Sequence, residues 1–460
     1  MAVVTIGPTP LTILEITAVA AGASVTLADG VLDRLALTRD AAVAVARQRP
    51  VYGRSTGVGA NKGVVVNDGG RHAQRLLHSH ATGAGPLREA RRVRAMLAVR
   101  CSQLAAASSG VAPSVLEALV AMLADDDLPA AREYGSLGTG DLSALATTAV
   151  ALIARGVVLD ENDALALISS NAATLADAAL AAADLAALAR ASLSVAALTF
   201  TAVDGNGEAY APLVELATPF PGARAVCRTM RALTGGATAA RIQDPFGLRA
   251  LPQVHGVLLD ALAQLTDVVE ALASAGSENP VFGVDPPAVA HHGSFHMAYL
   301  ATALDTVRSA VAQAAQLSLA RLGYLVDPAL TGLPAFLGDG SPAASGVMVV
   351  EYVAASALAE LRHGAAPAAV QSVSISRGAE DDASFASLGA RLALDSAGPY
   401  QVVLAGELLC AVRALRLRGV ATPAPVAALL ARCTALPADV ADRDLTDDLG
   451  VAGGLLTGLA

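Results

Sequence analysis

The sequence predicts a mainly α-helical fold built around a bundle of long helices, and three observations carry that prediction. In Gly256–Ala275 the residues Leu258, Leu262, Leu265, Val269 and Leu272 recur at alternating steps of four and three, and Leu300, Leu304, Val307 and Val311 do the same. That spacing draws one apolar stripe along each helix, the face a bundle buries. Strand signals are few: Val64–Val66 and the stretch around Ser372–Ile375 are the best, and both are short. Alanine is abundant and aromatic residues are only 3% of the chain, so side chains are small enough for helices to approach closely.

Taken in order, Leu11–Ala21 and Val31–Arg47 carry helical patterns before Pro50-Val51-Tyr52-Gly53 interrupts them, and a loop of small residues follows through Gly63. Arg71–His80, Arg88–Ala107 and Ser114–Ala124 are further helices. Asp141 has the chemistry to cap a helix over Leu142–Ala154, its carboxylate meeting free N–H groups. Ala164–Ala176 and Ser192–Val203 are long uncharged helical runs. Beyond about residue 200 the helices lengthen, which divides the chain into an N-terminal domain of short helices and Gly-rich loops, 1–200, and a C-terminal long-helix bundle, 201–460.

Composition narrows the function. Of 460 residues 54% are hydrophobic and 16% charged, so membrane spans have to be considered. A span needs about 20 continuous apolar residues, and the apolar runs here end at acidic residues, arginines or polar stretches. They are expected to be buried in a bundle or oligomer rather than in a bilayer. The N-terminus shows no basic segment followed by an apolar one, so no secretory signal is expected. A net charge of −10 offers nothing to attract phosphates and argues against a nucleic-acid partner. Cys101, Cys227, Cys410 and Cys433 are widely spaced, as free thiols in a cytoplasmic protein would be. The single lysine, Lys62, lies in a Gly-rich loop and is poorly placed for a pyridoxal Schiff base.

Seven stretches are too particular to be connectors. Val51-Tyr52-Gly53-Arg54-Ser55-Thr56-Gly57-Val58-Gly59 sets a phenol in a glycine-flanked loop. Leu76-Leu77-His78-Ser79-His80 ends a helix, with its histidines at i, i+2 and therefore on different faces. Gly135-Ser136-Leu137-Gly138-Thr139-Gly140-Asp141 contains Gly-x-Gly, but Ser143 replaces the third glycine of a dinucleotide loop and no strand precedes it. Gln243-Asp244-Pro245-Phe246-Gly247-Leu248-Arg249 places an arginine, suited to a carboxylate, after a Pro-ordered turn. Ser277-Glu278-Asn279-Pro280 precedes His291-His292-Gly293-Ser294-Phe295-His296. There His292 and His296 stand at i, i+4, the spacing of a helical metal pair, but no glutamate completes a hydrolytic zinc motif, and no metal is expected. Leu333-Pro334-Ala335-Phe336-Leu337 and Ser376-Arg377-Gly378-Ala379-Glu380-Asp381-Asp382 complete the set.

In order and spacing these pieces resemble the histidine/aromatic amino-acid ammonia-lyase family, from Leu11 to the segment Asp442–Asp448. VYGRSTGVG resembles YGVNTGFG, GSLGTGDLSALA resembles GSVGASGDLAPLA with one residue fewer, and QDPFGLR resembles QDPYSLR. SENPVF, DPALTGLPAFL and GAEDDAS are similar to SDNPLVF, DPHLSGLPAFL and NQEDHVS.

The resemblance implies an ammonia-lyase-like fold, active sites at inter-subunit junctions, hence a homotetramer, and a small amino acid or carboxylate substrate. It also implies a self-generated electrophile, a methylidene-imidazolone (MIO), formed by cyclisation and dehydration of an Ala-Ser-Gly turn; here Gly138-Thr139-Gly140 would form it. Tyr52 matches the base that removes the substrate's β-proton. Arg249 matches the carboxylate clamp, Phe295 an aromatic wall, and Glu380 the acid facing the substrate amine or ring. Ser79 and His80 match the pair that suits histidine-using members.

The departures cluster at the same site. Thr139 replaces serine, which would yield a methyl-substituted alkene, and β-branching resists a compressed turn. Phe246 stands where a second tyrosine is usual, Ser169 where an asparagine is usual, with Asn171 two residues on, and Ala379 replaces a glutamine. Three functions therefore stay open: ammonia elimination from an α-amino acid, leaning to a histidine-like side chain; an MIO-free dehydration, isomerisation or cyclisation on a carboxylate; and a non-catalytic scaffold or binding homologue.

Overall fold

The computed structural model describes residues 2–66, 71–235, 241–419 and 421–460, and the chain is mostly helical, as the apolar stripes predict. Local chemistry marks the helix ends. Thr12 and Glu15 form a reciprocal capping box before the Ile13–Ala20 helix, with Glu15 N–H donating to Thr12 Oγ1 at 3.2 Å and Thr12 N–H to Glu15 Oε2 at 2.9 Å. Pro113 opens Pro113–Ala124, where its missing N–H costs nothing.

Several expectations change. The run Ala164–Ala176 is broken: a short helix Ala164–Ile168 stops at Ser169, and Ala172–Ala202 begins after Asn171. Ser170 Oγ takes the Ala172 N–H at 2.9 Å, offering the backbone a side-chain partner in place of a continued helix. The whole apolar stretch Ala164–Ala202 is long enough to cross a bilayer, but 72% of its most apolar window is packed inside the protein. Asp141 sits at the N-cap of Leu142–Ala154 without capping it, because its carboxylate is engaged elsewhere, as described below.

The strands lie where they were not expected. Val3–Ile6 pairs in parallel with Ser24–Leu27, Val3 opposite Ser24, and two antiparallel pairs join Ala84–Leu87 to Arg132–Tyr134 and Val281–Gly283 to Ala288–Ala290. None exceeds four residues, too short for alternation to register. At Val64–Val66 and Ser372–Ile375 single bridges alone form among the described residues, Thr56 to Val65 and Ile375 to Glu380.

The chain makes two compact units. One contains Met1–Ala183, Leu265–Asp305 and Pro367–Leu394, the other Asp184–Gln264, Thr306–Ala366 and Asp395–Ala460. The contacts therefore do not follow the serial division at residue 200, because the chain returns twice to the first unit. In that unit the Ala90–Ala105 helix is buried continuously from Val93 to Ala105. Its Arg100, 0% exposed, pairs with Glu278 at 2.9 Å.

In the second unit, the Met348–Gly364 helix packs along Ala397–Arg418. Gly406 permits this closeness: a Cβ there would lie 3.1 Å from Val350 Cγ1 and 3.2 Å from Leu322 Cδ1. Beside it Glu407, fully buried, accepts from Arg321 Nε at 2.6 Å and Nη2 at 2.8 Å, from Thr199 Oγ1 at 2.7 Å and from Ser318 Oγ at 2.6 Å. Removing one member of such a pair strands a buried charge. Glu407→Ala is expected to lower stability by about 3–5 kcal/mol in denaturant unfolding. Glu407→Gln, which keeps an acceptor, should cost less; equal losses would contradict this role for the pair.

Candidate active site

The tyrosine loop is fixed from beneath. Val51 is buried in a small apolar cluster with Ala42, Val45 and Phe282. The Arg54 guanidinium lies 4.3 Å above the Phe282 ring and donates to Asn162 Oδ1 at 2.8 Å and to the Ser109 carbonyl at 2.6 Å. Burial pushes Arg54 down to about 10. Gly53, at φ +71°, has no room for a side chain, since a Cβ would fall 2.1 Å from Leu165 Cδ2.

Held in this way, Tyr52 accepts the Gly59 N–H on its phenol oxygen at 2.8 Å, and its own N–H donates to His291 Nε2 at 3.2 Å. Burial raises the Tyr52 pKa, the Gly59 hydrogen bond pulls it down, and the Glu380 charge raises it further. Glu380 is presented by a tight loop in which the Ile375 N–H donates to the Glu380 carbonyl at 2.9 Å. That loop meets the tyrosine loop where the Ala60 N–H donates to Ser376 Oγ at 3.1 Å.

The second component is the turn Gly138-Thr139-Gly140. Gly138 has φ +78° and Gly140 φ +117°, conformations that only glycine adopts without strain. A Cβ on Gly138 would also lie 2.5 Å from the Ala386 backbone nitrogen and 2.6 Å from Ser384 Oγ. The Gly138 carbonyl accepts from Ser384 Oγ at 2.6 Å, and the Gly140 N–H donates to Asn171 Oδ1 at 2.8 Å. Asn171 Nδ2 donates to the Phe295 carbonyl at 2.6 Å, so both ends of its amide are used, one on the turn and one on a pocket wall. Behind the turn, Asp141 is 1% exposed and accepts from Ser136 Oγ, from Thr174 N–H at 2.7 Å and from Thr174 Oγ1 at 2.8 Å. Burial raises its pKa, against these hydrogen bonds.

These parts enclose a cavity of about 990 Å³ within the first unit. Of the residues singled out from sequence, Tyr52, His80, Thr139, Gly140, Ser169, Phe295 and Glu380 line it. His80 ends the Arg71–His80 helix with Nδ1 2.9 Å from the Leu76 carbonyl. Nδ1 is therefore the donor, which leaves Nε2 as the acceptor of the neutral ring. Ser169 Oγ accepts the Asn279 N–H at 2.9 Å.

Gly138, Ser79, Phe246 and Arg249 lie elsewhere. Gly138 faces Ser384 and Ala386, away from the lining, and Ser79 turns its hydroxyl to the Leu76 carbonyl at 3.0 Å. Phe246 and Arg249 belong to the second unit and are not among the lining residues. The Arg249 guanidinium stacks 4.4 Å over the Phe246 ring and donates to Gln243 Oε1 at 2.6 Å. His292 and His296 do line the cavity, from a loop and not a helix, and among the described residues no group of three or more His, Cys, Asp or Glu is placed to hold a metal.

Lys62, His291, Asn279 and Ser376 also line the cavity. Sequence reasoning did not assign them roles, although all but Lys62 lie inside the motifs it marked. The left-handed turn gives a direct test. Gly138→Ala adds both a strained backbone and a clash, whereas Gly156→Ala adds a similar strain, at φ +87°, in open space. Thermal melting is expected to show the first to be the more destabilising, with backbone strain alone costing about 1–3 kcal/mol in each. Equal melting shifts would mean that the turn is not held against Ser384 and Ala386.

The chain matches the family model described as "Aromatic amino acid lyase" over residues 11–159 and 155–435. It is 35% identical to histidine ammonia-lyase of Symbiobacterium thermophilum, covering 93% of this chain and 92% of that one. Among solved structures it is similar to tyrosine aminomutase from Streptomyces globisporus, with a TM-score of 0.92, 27% identity, and coverage of 99% and 97%. The histidine ammonia-lyase structure from Trypanosoma cruzi shares the fold, with a TM-score of 0.90 at 24% identity and coverage of 100% and 94%. The motif order, the assembled tyrosine loop and turn, and these similarities lead to one conclusion: the chain belongs to the aromatic amino acid lyase family and has its ammonia-lyase fold.

Proposed function

We propose that the protein eliminates ammonia from an α-amino acid with a polar, histidine-like side chain, using Tyr52 as the base. The observation that carries this reading is the placement of Tyr52, Thr139, His80 and Glu380 around one cavity. The residues at the turn also fit a self-made imidazolone. Gly138 and Gly140 supply the left-handed backbone, a donor reaches the Gly138 carbonyl and an acceptor holds the Gly140 N–H, and Thr139 supplies the β-hydroxyl. When formed, that group offers the substrate amine an electrophile.

The remaining roles fall to side chains. Tyr52 takes the β-proton, and Glu380 stands beside it to face the amine. His80 Nε2 offers an acceptor to a side-chain N–H. His291, His292, His296 and Lys62 make the wall polar, and Phe295 is the aromatic ring beside them. That lining, together with 35% identity to a histidine ammonia-lyase, supports the lean toward an imidazole-like side chain. Arg249 is assigned to the substrate carboxylate of a neighbouring subunit's cavity in a homotetramer, which accounts for its absence from the lining in its own protomer. The one-residue deletion and Thr139 favour, as the second reading, an MIO-free reaction on a carboxylate with the same base.

An ammonia-release screen over α-amino acids tests the first reading. Tyr52→Phe is expected to lower turnover by about 10²–10⁴-fold with the fold intact. Turnover that persists in this variant would remove Tyr52 from the chemistry.

The pH dependence follows from the sign of the Tyr52 shift. A phenol must lose its proton before acting as a base, and burial and the Glu380 charge hold its pKa above the usual value. kcat/KM is therefore expected to climb with pH through the alkaline range. Glu380→Gln removes the negative charge and should move that rise to lower pH; an unmoved rise would show that Glu380 does not act on Tyr52.

A further inference from the structure

The turn has two partners that a reaction on an amino acid does not require. Ser384 Oγ, in a residue 4% exposed, donates to the Gly138 carbonyl at 2.6 Å and accepts from the Ala386 N–H at 3.2 Å. Beside it the Phe385 N–H donates to the Leu137 carbonyl at 2.8 Å. These groups open the ten-residue helix Ala386–Asp395, whose first turn carries uncompensated N–H dipoles. On the opposite side Asn171 Oδ1 holds the Gly140 N–H at 2.8 Å. The two peptide units that must join are therefore each held by a fixed side chain, a donor on the carbonyl oxygen and an acceptor on the amide.

We infer that Ser384 stabilises the oxyanion formed in this chain's own cyclisation at Gly138–Gly140, and that Asn171 positions the attacking amide. The inference rests on the reading that this turn becomes an imidazolone. The Gly140 nitrogen bonds to the Gly138 carbonyl carbon, and the carbonyl π pair moves to the oxygen that Ser384 holds. The Gly140 proton is lost to solvent and one is regained on that oxygen, so composition is unchanged. One water then leaves with the former Gly138 oxygen and the Thr139 amide proton. A second leaves with Thr139 Oγ1 and the Thr139 α-proton. No oxidant is consumed.

A donor fixed where negative charge develops lowers the barrier because it needs no reorganisation. The same geometry explains the glycine. A Cβ on Gly138 would meet the Ala386 nitrogen at 2.5 Å and drive the carbonyl off the helix end. Gly138 is what lets a shortened turn keep its oxygen on Ser384.

The test is the time course of intact mass in newly synthesised full-length chain, with the change mapped by peptide mass to residues 138–140. The unaltered chain is expected to lose two waters. Ser384→Ala should do so about 10²–10³-fold more slowly, while circular dichroism shows it folded. If Ser384→Ala does not fold, Ser384→Cys keeps the shape with a weaker donor and should also be slowed. Loss of two waters at an unchanged rate in the folded variant overturns the role of Ser384 and leaves the imidazolone standing. An unaltered chain that keeps its full mass overturns the imidazolone reading itself, and this inference with it.

Discussion

Gly138 places its carbonyl oxygen on the Ser384 hydroxyl at the start of the Ala386–Asp395 helix, and the turn that carries Thr139 is arranged around that contact. The contact excludes a side chain at Gly138, because the helix backbone occupies the space. It sets the direction of the turn, so that Thr139 and Gly140 face the cavity while Gly138 faces the helix. It also leaves the Gly140 N–H outside any helix or strand, where Asn171 takes it. Asn171 is free to do this because the helical run breaks at Ser169–Asn171, and its other amide group fixes the Phe295 loop. One backbone contact thus links the turn, the helix break and a pocket wall.

The tyrosine loop is tied to the same unit by a different chemistry. A buried arginine lying on Phe282 and apolar packing of Val51 hold its base, and the Gly59 N–H orients the phenol. The opposed influences on Tyr52 suit a base in a half-closed pocket. Burial and Glu380 make the phenolate costly, and the Gly59 hydrogen bond offsets part of that cost. Both loops depend on chain segments far away in sequence: Leu265–Asp305 brings Asn279, His291 and Phe295, and Pro367–Leu394 brings Ser376, Glu380 and Ser384.

Much of this was legible in the sequence. The long helices announced themselves because their stripes run over several turns, and the motif order located Tyr52, His80, Thr139 and Glu380. What was not legible is what depends on distant contacts. Four-residue strands carry too little alternation to register, and the hydrogen-bonding serines and asparagine that break a helix look in sequence like a continuation of it. Asp141 has the right residue type for a cap, but tertiary contacts with Ser136 and Thr174 claim its carboxylate. Ser384 lies just past the acidic Glu380–Asp382 motif, and only the fold shows that its hydroxyl reaches Gly138. Phe246 and Arg249 carry a recognisable motif, but sequence spacing cannot say which cavity they serve.

The central claim is that Gly138-Thr139-Gly140 builds a reactive ring facing the cavity that Tyr52 lines. A crystal structure of active protein, at a resolution that shows ring planarity, tests it most directly. The expected result is continuous density joining the Gly140 nitrogen to the Gly138 carbon, with the Gly138 oxygen gone and Ser384 released from it. An open peptide in a fully active preparation, with the Gly138 oxygen still on Ser384, would contradict the claim and leave Tyr52 to act without that ring.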